Sequence, residues 1–177
     1  MADDATLRFY ADNAATYARH RTRPSGRHLD TFLAALPEQA RVLELGCGNG
    51  IDAEYMLKRG IDVDATDGTL ELVTEAQKRI GPRARFMRFE DLTAIDAYDG
   101  VWACASLLHV KAVSLPDILA RIRRAMRAGG TFVASFKGGT GEGRDSMGRY
   151  YNYPTPDALE AAYRAAGWSD LRLETNL

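Results

Sequence analysis

Short apolar runs alternate along the chain with segments whose apolar residues recur at helical spacing. Five runs rich in β-forming residues predict strands, at positions 40–45, 61–66, 84–89, 98–105 and 131–136. Helical spacing, together with capping and glycine stop signals, predicts helices at positions 3–20, 26–36, 51–59, 69–80, 115–126 and 155–167. A last strand is predicted at 168–177. Because strands alternate with helices, the chain is predicted to form an α/β fold around a mainly parallel sheet.

A glycine-rich segment, ELGCGNG at positions 44–50, lies between the first predicted strand and the helix that follows it. Glycines allow a sharp turn and a close approach of the backbone to a ligand. Dinucleotide sites use the spacing G-x-G-x-x-G, whereas here the third glycine comes one residue early and Ile51 occupies its place. The Glu44 carboxylate would be unfavourable beside a pyrophosphate and favourable near a cationic amino group. The segment therefore favours a nucleoside ligand with a positively charged tail over a dinucleotide or a purely structural turn.

Two further acids follow predicted strands at the edge where such sheets bind ligands. Asp67 ends the second strand, about 20 residues beyond the glycines, which is the position of the ribose-hydroxyl acceptor in this architecture. The dipeptide Asp67-Gly68 is also typical of a solvated turn. Asp91 follows the third strand and is predicted to accept a hydrogen bond from an adenine amino group, with a helix or turn cap as the alternative.

The region beyond the fourth strand supplies the residues that are predicted to contact a substrate. His109 titrates near neutral pH and follows that strand, which makes it a candidate general base; a histidine that caps local backbone is the alternative. Residues 137–154 contain five glycines and predict a long mobile lid without structure of its own. Its arginines and tyrosines could hold an acidic or aromatic substrate, although a plain surface loop is also compatible with the pattern.

The chain resembles the class I (Rossmann-like) S-adenosylmethionine-dependent methyltransferases, and among them the small bacterial enzymes of the tellurite-resistance and small-molecule type. The motifs that carry the resemblance are ELGCGNG, Asp67, Glu90-Asp91-Leu92 and YDGVWACASLLHV at 98–110. The resemblance implies a doubly wound sheet with helices on both faces and an N-terminal helical lid. It also implies methyl transfer from S-adenosyl-L-methionine to oxygen, nitrogen or a chalcogen of a small molecule.

The resemblance also assigns residues to the cofactor. In it, the glycine loop holds the methionine part, Asp67 the ribose hydroxyls, and Asp91 with Leu92 the adenine. The full set of implied cofactor-binding residues is Tyr17, Glu44, Gly46, Cys47, Gly48, Asp67, Gly68, Asp91, Leu92 and Cys104. Phe9, Tyr10 and Tyr17 would form the lid; their helical spacing alone is equally typical of a packed core face.

Composition and charge narrow the function further. Hydrophobic residues make up 46% and charged residues 27%, a soluble globular profile, and no apolar run is long enough to cross a membrane. The net charge of −1 gives no basic surplus for nucleic acid or an anionic membrane. Two cysteines and three scattered histidines predict no metal, and the acidic N-terminus predicts a cytoplasmic protein without a signal peptide. A methyltransferase for protein or RNA and a non-catalytic cofactor-binding protein are the alternatives.

The length of 177 residues predicts one domain, with helical lid residues 1–37 and a cofactor-binding core at 38–177. The family fold usually ends with a hairpin of two strands, whereas this chain stops at Leu177 after the first. We therefore expect an incomplete C-terminal hairpin with an unpaired strand edge. Since exposed edges recruit partners, either a homodimer or a longer natural C-terminus is expected to cover it.

Overall fold

A five-stranded parallel sheet forms the centre of the protein. The structure is a computed structural model that describes residues 3–175. Its strands are β1 (Arg41–Leu45), β2 (Asp62–Asp67), β3 (Ala84–Phe86), β4 (Tyr98–Ala103) and β5 (Met126–Ala134). The spatial order is β3-β2-β1-β4-β5, so the chain changes direction between β1 and β4. Ligands bind at such switch points, beyond the carboxyl ends of the strands. The predicted Rossmann-like α/β fold is confirmed.

Helices cover both faces of this sheet, as predicted. They are α1 (Asp4–His20), α2 (Arg27–Ala34), α3 (Ile51–Leu57), α4 (Leu70–Ile80), α5 (Leu115–Ala125) and α6 (Pro156–Ala165). One core joins α2, α3 and α4 to the sheet through residues such as Phe32, Met56 and Val73. The other is formed largely by α5, whose Ile118 and Ile122 are fully buried. Because β1 lies between two cores, its apolar run needs no polar face.

The predicted structureless loop at 137–154 is wrong in its centre. It contains an antiparallel hairpin of β6 (Gly141–Arg144) and β7 (Tyr150–Tyr153). Tyr150 and Tyr151 are buried, and the Tyr150 hydroxyl donates to Glu142 across the hairpin. The glycines masked the strand-forming character of the tyrosines. We still expect the amide hydrogens of residues 138–150 to exchange faster than those of residues 131–136, because the glycines are costly to order.

The predicted last strand is also wrong over the residues that the structure describes. Residues 168–175 form no strand, and the rest of the predicted segment, 176–177, lies outside the described part of the chain. Trp168 packs instead against Phe132 and Tyr163, and its Nε1 donates to the Leu119 carbonyl at 3.2 Å. The indole therefore joins α6 to α5, and the segment follows helix packing instead of strand pairing.

Strand β5 begins five residues before its predicted start and includes the glycines that were expected to cap α5. Tyr98 pairs with Met126 but Gly100 pairs with Thr131, so an irregularity in β5 absorbs the extra residues. Gly129 adopts φ +77°, and a Cβ on Gly130 would lie 2.9 Å from the Asp99 carbonyl oxygen. Both glycines thus allow a β-bulge in β5 instead of capping α5. Strand β3, in contrast, is shorter than predicted, because Phe89 begins a 3₁₀ turn.

Candidate functional site

A cleft of about 620 Å³, partly open to solvent, lies at the carboxyl ends of β1, β2 and β4. Helix α1 covers it. Six of the predicted site residues line the cleft, namely Tyr17, Gly46, Gly48, Asp67, Gly68 and His109. Sequence reasoning did not assign Ser106, Thr6 or Phe89, which also line it. The structure thus brings together motifs that lie as far apart in the chain as Tyr17 and His109.

Two glycines in the loop after β1 leave room that any side chain would fill. A Cβ on Gly46 would lie 2.5 Å from the Ser106 Cβ, and one on Gly48 would lie 3.0 Å from Tyr17. Both glycines have positive φ, +75° and +57°. The Thr66 carbonyl accepts hydrogen bonds from the amides of Gly46 and Cys47, at 2.8 and 2.9 Å, which fixes the turn. The loop is therefore a rigid cradle with open backbone.

Asp67 supports this loop from the end of β2. Its carboxylate accepts the Gly48 amide at 2.9 Å and the Thr69 amide at 3.0 Å. Burial raises the pKa of Asp67 to about 6 in spite of these hydrogen bonds. Asp62 and Asp64, in contrast, pair with Arg83 and Arg85 within the strand ladder. The structure therefore places Asp67 at the cleft and the two other acids away from it.

Glu44 lies beneath the cleft in the central strand and is 3% exposed. Its Oε2 has no hydrogen-bond partner among the described residues. Burial raises the pKa of Glu44 well above its usual value, and the nearby Asp52 raises it further. A buried carboxylate oxygen without a donor is costly, so a cationic group bound nearby would stabilise it. The role of Glu44 toward an amino group stays a prediction.

The C-terminal end of α1 is fastened to the glycine loop and to α3. Asn49 donates to the carbonyls of Ala18 and Arg21, at 3.0 and 2.8 Å. The buried Asp52 carboxylate accepts from the Arg21 guanidinium, from the Ser25 amide and hydroxyl, and from the Trp102 indole, all within 3.1 Å. These contacts hold Tyr17 over Gly48.

The first turn of α1 is fastened to the β6–β7 hairpin. Arg144 donates two hydrogen bonds to Asp3, at 2.8 and 2.9 Å, and this pairing lowers the pKa of Asp3 to about 2. Thr6 Oγ1 accepts the Tyr150 amide at 2.8 Å. The hairpin therefore forms one wall of the cover. No local sequence signal could have found these contacts, because the partners lie at opposite ends of the chain.

His109 occupies the middle of a hydrogen-bonded chain. Its Nδ1 lies 2.7 Å from the Tyr150 carbonyl oxygen, and its Nε2 lies 3.0 Å from the Tyr10 hydroxyl. Arg149 donates to that hydroxyl at 3.2 Å. Burial lowers the pKa of His109, as do Arg149 and Lys137, so the ring is neutral near pH 7. The predicted base lies at the cleft, and its Nε2 meets Tyr10.

Besides Glu44, four predicted cofactor residues do not line the cleft. Asp91 accepts the Arg88 amide at 3.2 Å, as a cap of a 3₁₀ turn, and lines a neighbouring depression with the buried Leu92. Cys47 is buried in the core, and burial raises the pKa of its thiol. The Cys104 Sγ lies 3.3 Å from the Ser25 hydroxyl oxygen. The adenine role of Asp91 and Leu92, like the contacts of the two cysteines, stays a prediction.

Ala105 lies in the left-handed region at φ +51° and lines the cleft. This conformation costs an L-residue about 1–2 kcal/mol, and such strain is typical of functional sites. We expect Ala105→Gly to raise the free energy of unfolding by about 0.5–1 kcal/mol, since the greater freedom of glycine in the unfolded chain offsets part of the relief. Urea unfolding measures this, and a destabilised variant would show that the backbone is not strained.

Two features are absent from residues 3–175, which the structure describes. No group of three histidine, cysteine, aspartate or glutamate side chains is arranged to hold a metal ion. No helix within the same residues is long and apolar enough to span a bilayer.

Comparison with known proteins identifies the family. The family model described as "Methyltransferase domain" matches residues 42–130, half of the chain. The S-adenosyl-L-methionine-dependent Diels-Alderase of Talaromyces variabilis is 38% identical over 109 residues, which cover 56% of this chain and 37% of that protein. The trans-aconitate 2-methyltransferase of Mycolicibacterium gilvum is 30% identical over 158 residues, which cover 88% of this chain and 56% of the relative. The chain thus spans between about a third and just over half of their lengths.

A solved structure agrees with these relatives. The Burkholderia thailandensis 1,6-didemethyltoxoflavin-N1-methyltransferase, crystallised with 1,6-didemethyltoxoflavin and S-adenosylhomocysteine, superposes with a TM-score of 0.58 at 27% identity. The match covers 93% of this chain and 68% of that one. The glycine cradle, the buried Asp67 and the unpartnered Glu44 oxygen fit the ribose hydroxyls and the amino group of S-adenosylmethionine. This chain belongs to the class I S-adenosylmethionine-dependent methyltransferases.

Proposed function

We propose that this protein transfers the methyl group of S-adenosylmethionine to a small-molecule acceptor. The observation that carries the proposal is a cleft that has the Asp67 cradle on one side and the Tyr10–His109 pair on the other, under the cover of α1. The sulfonium of the cofactor supplies an activated methyl group, and its displacement needs mainly positioning. Asp67 would accept from the ribose hydroxyls, Glu44 from the amino group, and α1 would exclude water.

A small acceptor is supported by the cover over the cleft and by the relatives. Helix α1 lies over the cleft and leaves part of it open to solvent. One relative is named for trans-aconitate and a similar structure holds 1,6-didemethyltoxoflavin. The tellurite-resistance subtype, the single domain 1–177, the cytoplasmic location, the possible homodimer and the expected lack of nucleic-acid and membrane partners stay predictions.

A second candidate is use of the cofactor without methyl transfer. The relative that supports it is the Diels-Alderase, whose name gives a different reaction for a protein that depends on the same cofactor. In that case the cradle and Asp67 would still bind S-adenosylmethionine.

The test measures binding and turnover separately. Calorimetry with S-adenosylmethionine and S-adenosylhomocysteine is expected to show micromolar or tighter binding and no measurable binding of NAD. Release of S-adenosylhomocysteine is then followed while fractions of a small-metabolite pool are added. Release that depends on one fraction supports methyl transfer. Tight binding with no release from any fraction would support the second candidate, and lack of binding would contradict both.

Cofactor affinity is expected to depend on pH through Asp67. Ribose hydroxyls need a carboxylate that accepts from both, so binding favours the ionised form. In the free protein the pKa of Asp67 is raised to about 6. Affinity should therefore be constant above about pH 7 and fall roughly tenfold for each pH unit below about pH 6. Calorimetry from pH 4.5 to 8 measures this dependence, and a flat profile would show that Asp67 does not bind the ribose.

A further inference from the structure

We propose that the acceptor is a hydroxyl compound and that its proton leaves through the Tyr10 hydroxyl to His109. This inference rests on the proposed function and specifies its acceptor. Tyr10 is on α1, 99 residues before His109, and no sequence motif joins the two. What joins them is the hydrogen-bonded chain from Arg149 through Tyr10 and His109 to the Tyr150 carbonyl.

The direction of donation along this hydrogen-bonded chain follows from the groups at its two ends. A guanidinium only donates, and a backbone carbonyl only accepts. His109 therefore carries its proton on Nδ1, and its Nε2 accepts the hydroxyl proton of Tyr10. The Tyr10 oxygen accepts from Arg149 as well, which leaves it a lone pair and no second proton. Because Tyr10 lines the cleft, a ligand group that meets its oxygen must be a donor.

The charges around the cleft disfavour an anionic acceptor at this end. Among the described residues that line it, Arg88 is the one that carries a full positive charge, and it lies beside Gly68, where the ribose is expected. His109 is neutral near pH 7 because its pKa is lowered. A carboxylate would face the lone pair of Tyr10, and the Arg149 charge behind that oxygen is already paired with Asp145. A hydroxyl can donate to Tyr10 and then lose that proton.

Arg149 is held one layer behind Tyr10. Its Nε and Nη2 donate to Asp145 at 2.9 and 2.6 Å, and the rings of Phe9 and Tyr151 lie 5.2 and 5.4 Å from its guanidinium carbon. These contacts fix the remaining Nη1 on the Tyr10 oxygen. Arg149 therefore stabilises negative charge that develops on that oxygen while a proton passes, which is a positioning and electrostatic role.

The proton and the methyl group then move as follows. The acceptor oxygen forms its bond to the methyl carbon while the bond between that carbon and sulfur breaks. The acceptor proton moves to the Tyr10 oxygen as the proton of Tyr10 moves to His109 Nε2. The products are a methyl ether, S-adenosylhomocysteine and a His109 imidazolium that still donates through Nδ1 to Tyr150. Release of one proton to solvent restores the neutral ring.

The experiment compares wild-type protein with Tyr10→Phe and, as a matched control, Tyr55→Phe, which removes a hydroxyl on α3 that donates to Asp30 away from the cleft. The candidate acceptors are supplied in matched sets of three aromatic compounds, in which the same ring carries a hydroxyl group (phenol), a carboxylate (benzoate) or an amino group (aniline). S-adenosylhomocysteine formation is measured for each. In parallel, NMR titration of the complex with S-adenosylhomocysteine gives the pKa of His109 without turnover.

We expect S-adenosylhomocysteine to form with the phenols alone. Tyr10→Phe should lower kcat at least about 100-fold, with the KM for S-adenosylmethionine changed less than threefold. The kcat of Tyr55→Phe should stay within twofold of the wild type. The pKa of His109 should rise in Tyr10→Phe, because the donor to Nε2 is lost.

Two groups of results would overturn different claims. Turnover with benzoates or anilines but not phenols, a kcat of Tyr10→Phe within threefold of the wild type, or an unchanged pKa of His109 would overturn this inference and leave the proposed function intact. Lack of S-adenosylhomocysteine binding would instead contradict the proposed function itself. Binding with no turnover of any phenol, benzoate or aniline would contradict it as well.

Discussion

Replacing Asp67 by alanine is expected to weaken the binding of S-adenosylhomocysteine at least tenfold at pH 7.5. The change removes a charged acceptor of hydrogen bonds, and such bonds contribute about 1.5–3 kcal/mol each. It also removes the acceptor of the Gly48 and Thr69 amides, so the glycine loop loses the contact that fixes it to β2. Calorimetry measures the effect directly.

The control for this prediction is Asp62→Ala. Asp62 belongs to the same strand and pairs with Arg83 and Arg41 on the surface, so its loss should leave affinity within twofold. If the Asp67 and Asp62 variants bound S-adenosylhomocysteine equally well, the assignment of the ribose site would be wrong.

The Asp52→Ala variant is expected to lose about 2–4 kcal/mol of the free energy of unfolding. Asp52 accepts from three residues, and its removal leaves the buried Trp102 indole and the Ser25 amide without an acceptor. An unsatisfied buried donor costs about 1–3 kcal/mol, and the half-buried Arg21 loses its ion pair. For a protein of this size the melting temperature should fall by roughly 5–15 °C.

Urea and thermal unfolding check this prediction, with Asp52→Asn as the control. Asparagine removes the charge and keeps one acceptor oxygen, so it can serve either the indole, which donates to Oδ2, or the Ser25 amide, which donates to Oδ1, but not both. It should therefore lose less stability than alanine does. Equal losses in the two variants would mean that the one remaining acceptor contributes nothing without the charge. A loss below 1 kcal/mol in Asp52→Ala would contradict the role of this carboxylate in holding α1.

The parts of the site that could be predicted are those whose chemistry is local in sequence. Gly46 and Gly48 have positive φ in a tight turn between the adjacent strand and helix, which the glycine-rich segment already indicates. Asp67 ends a strand whose neighbours in the sheet follow from the alternation of elements. In both cases a few consecutive residues determine the geometry, so the pattern was sufficient.

The parts that could not be predicted depend on contacts between distant segments. Tyr10 has the helical spacing of a core residue, and only the fold shows that its hydroxyl meets His109. Residues 168–175 alternate like a strand, yet a strand needs a hydrogen-bonding neighbour, and the indole of Trp168 finds a better site against α5 and α6. Pairing and packing decide such cases, and neither is written in a short segment.

The attachment of α1 to the hairpin has a consequence for the order of events during synthesis. Thr6 and Tyr150 are 144 residues apart, and Asp3 and Arg144 are 141 apart. Closing a loop of that length costs roughly 4 kcal/mol of chain entropy, more than one buried hydrogen bond and one partly buried ion pair repay. A ribosome releases the glycine loop and Asp67 before the hairpin exists, so the C-terminal end of α1 can dock on the glycine loop first. The attachment of the first turn of α1 to the hairpin therefore forms last, after the sheet has brought the two ends of the chain together.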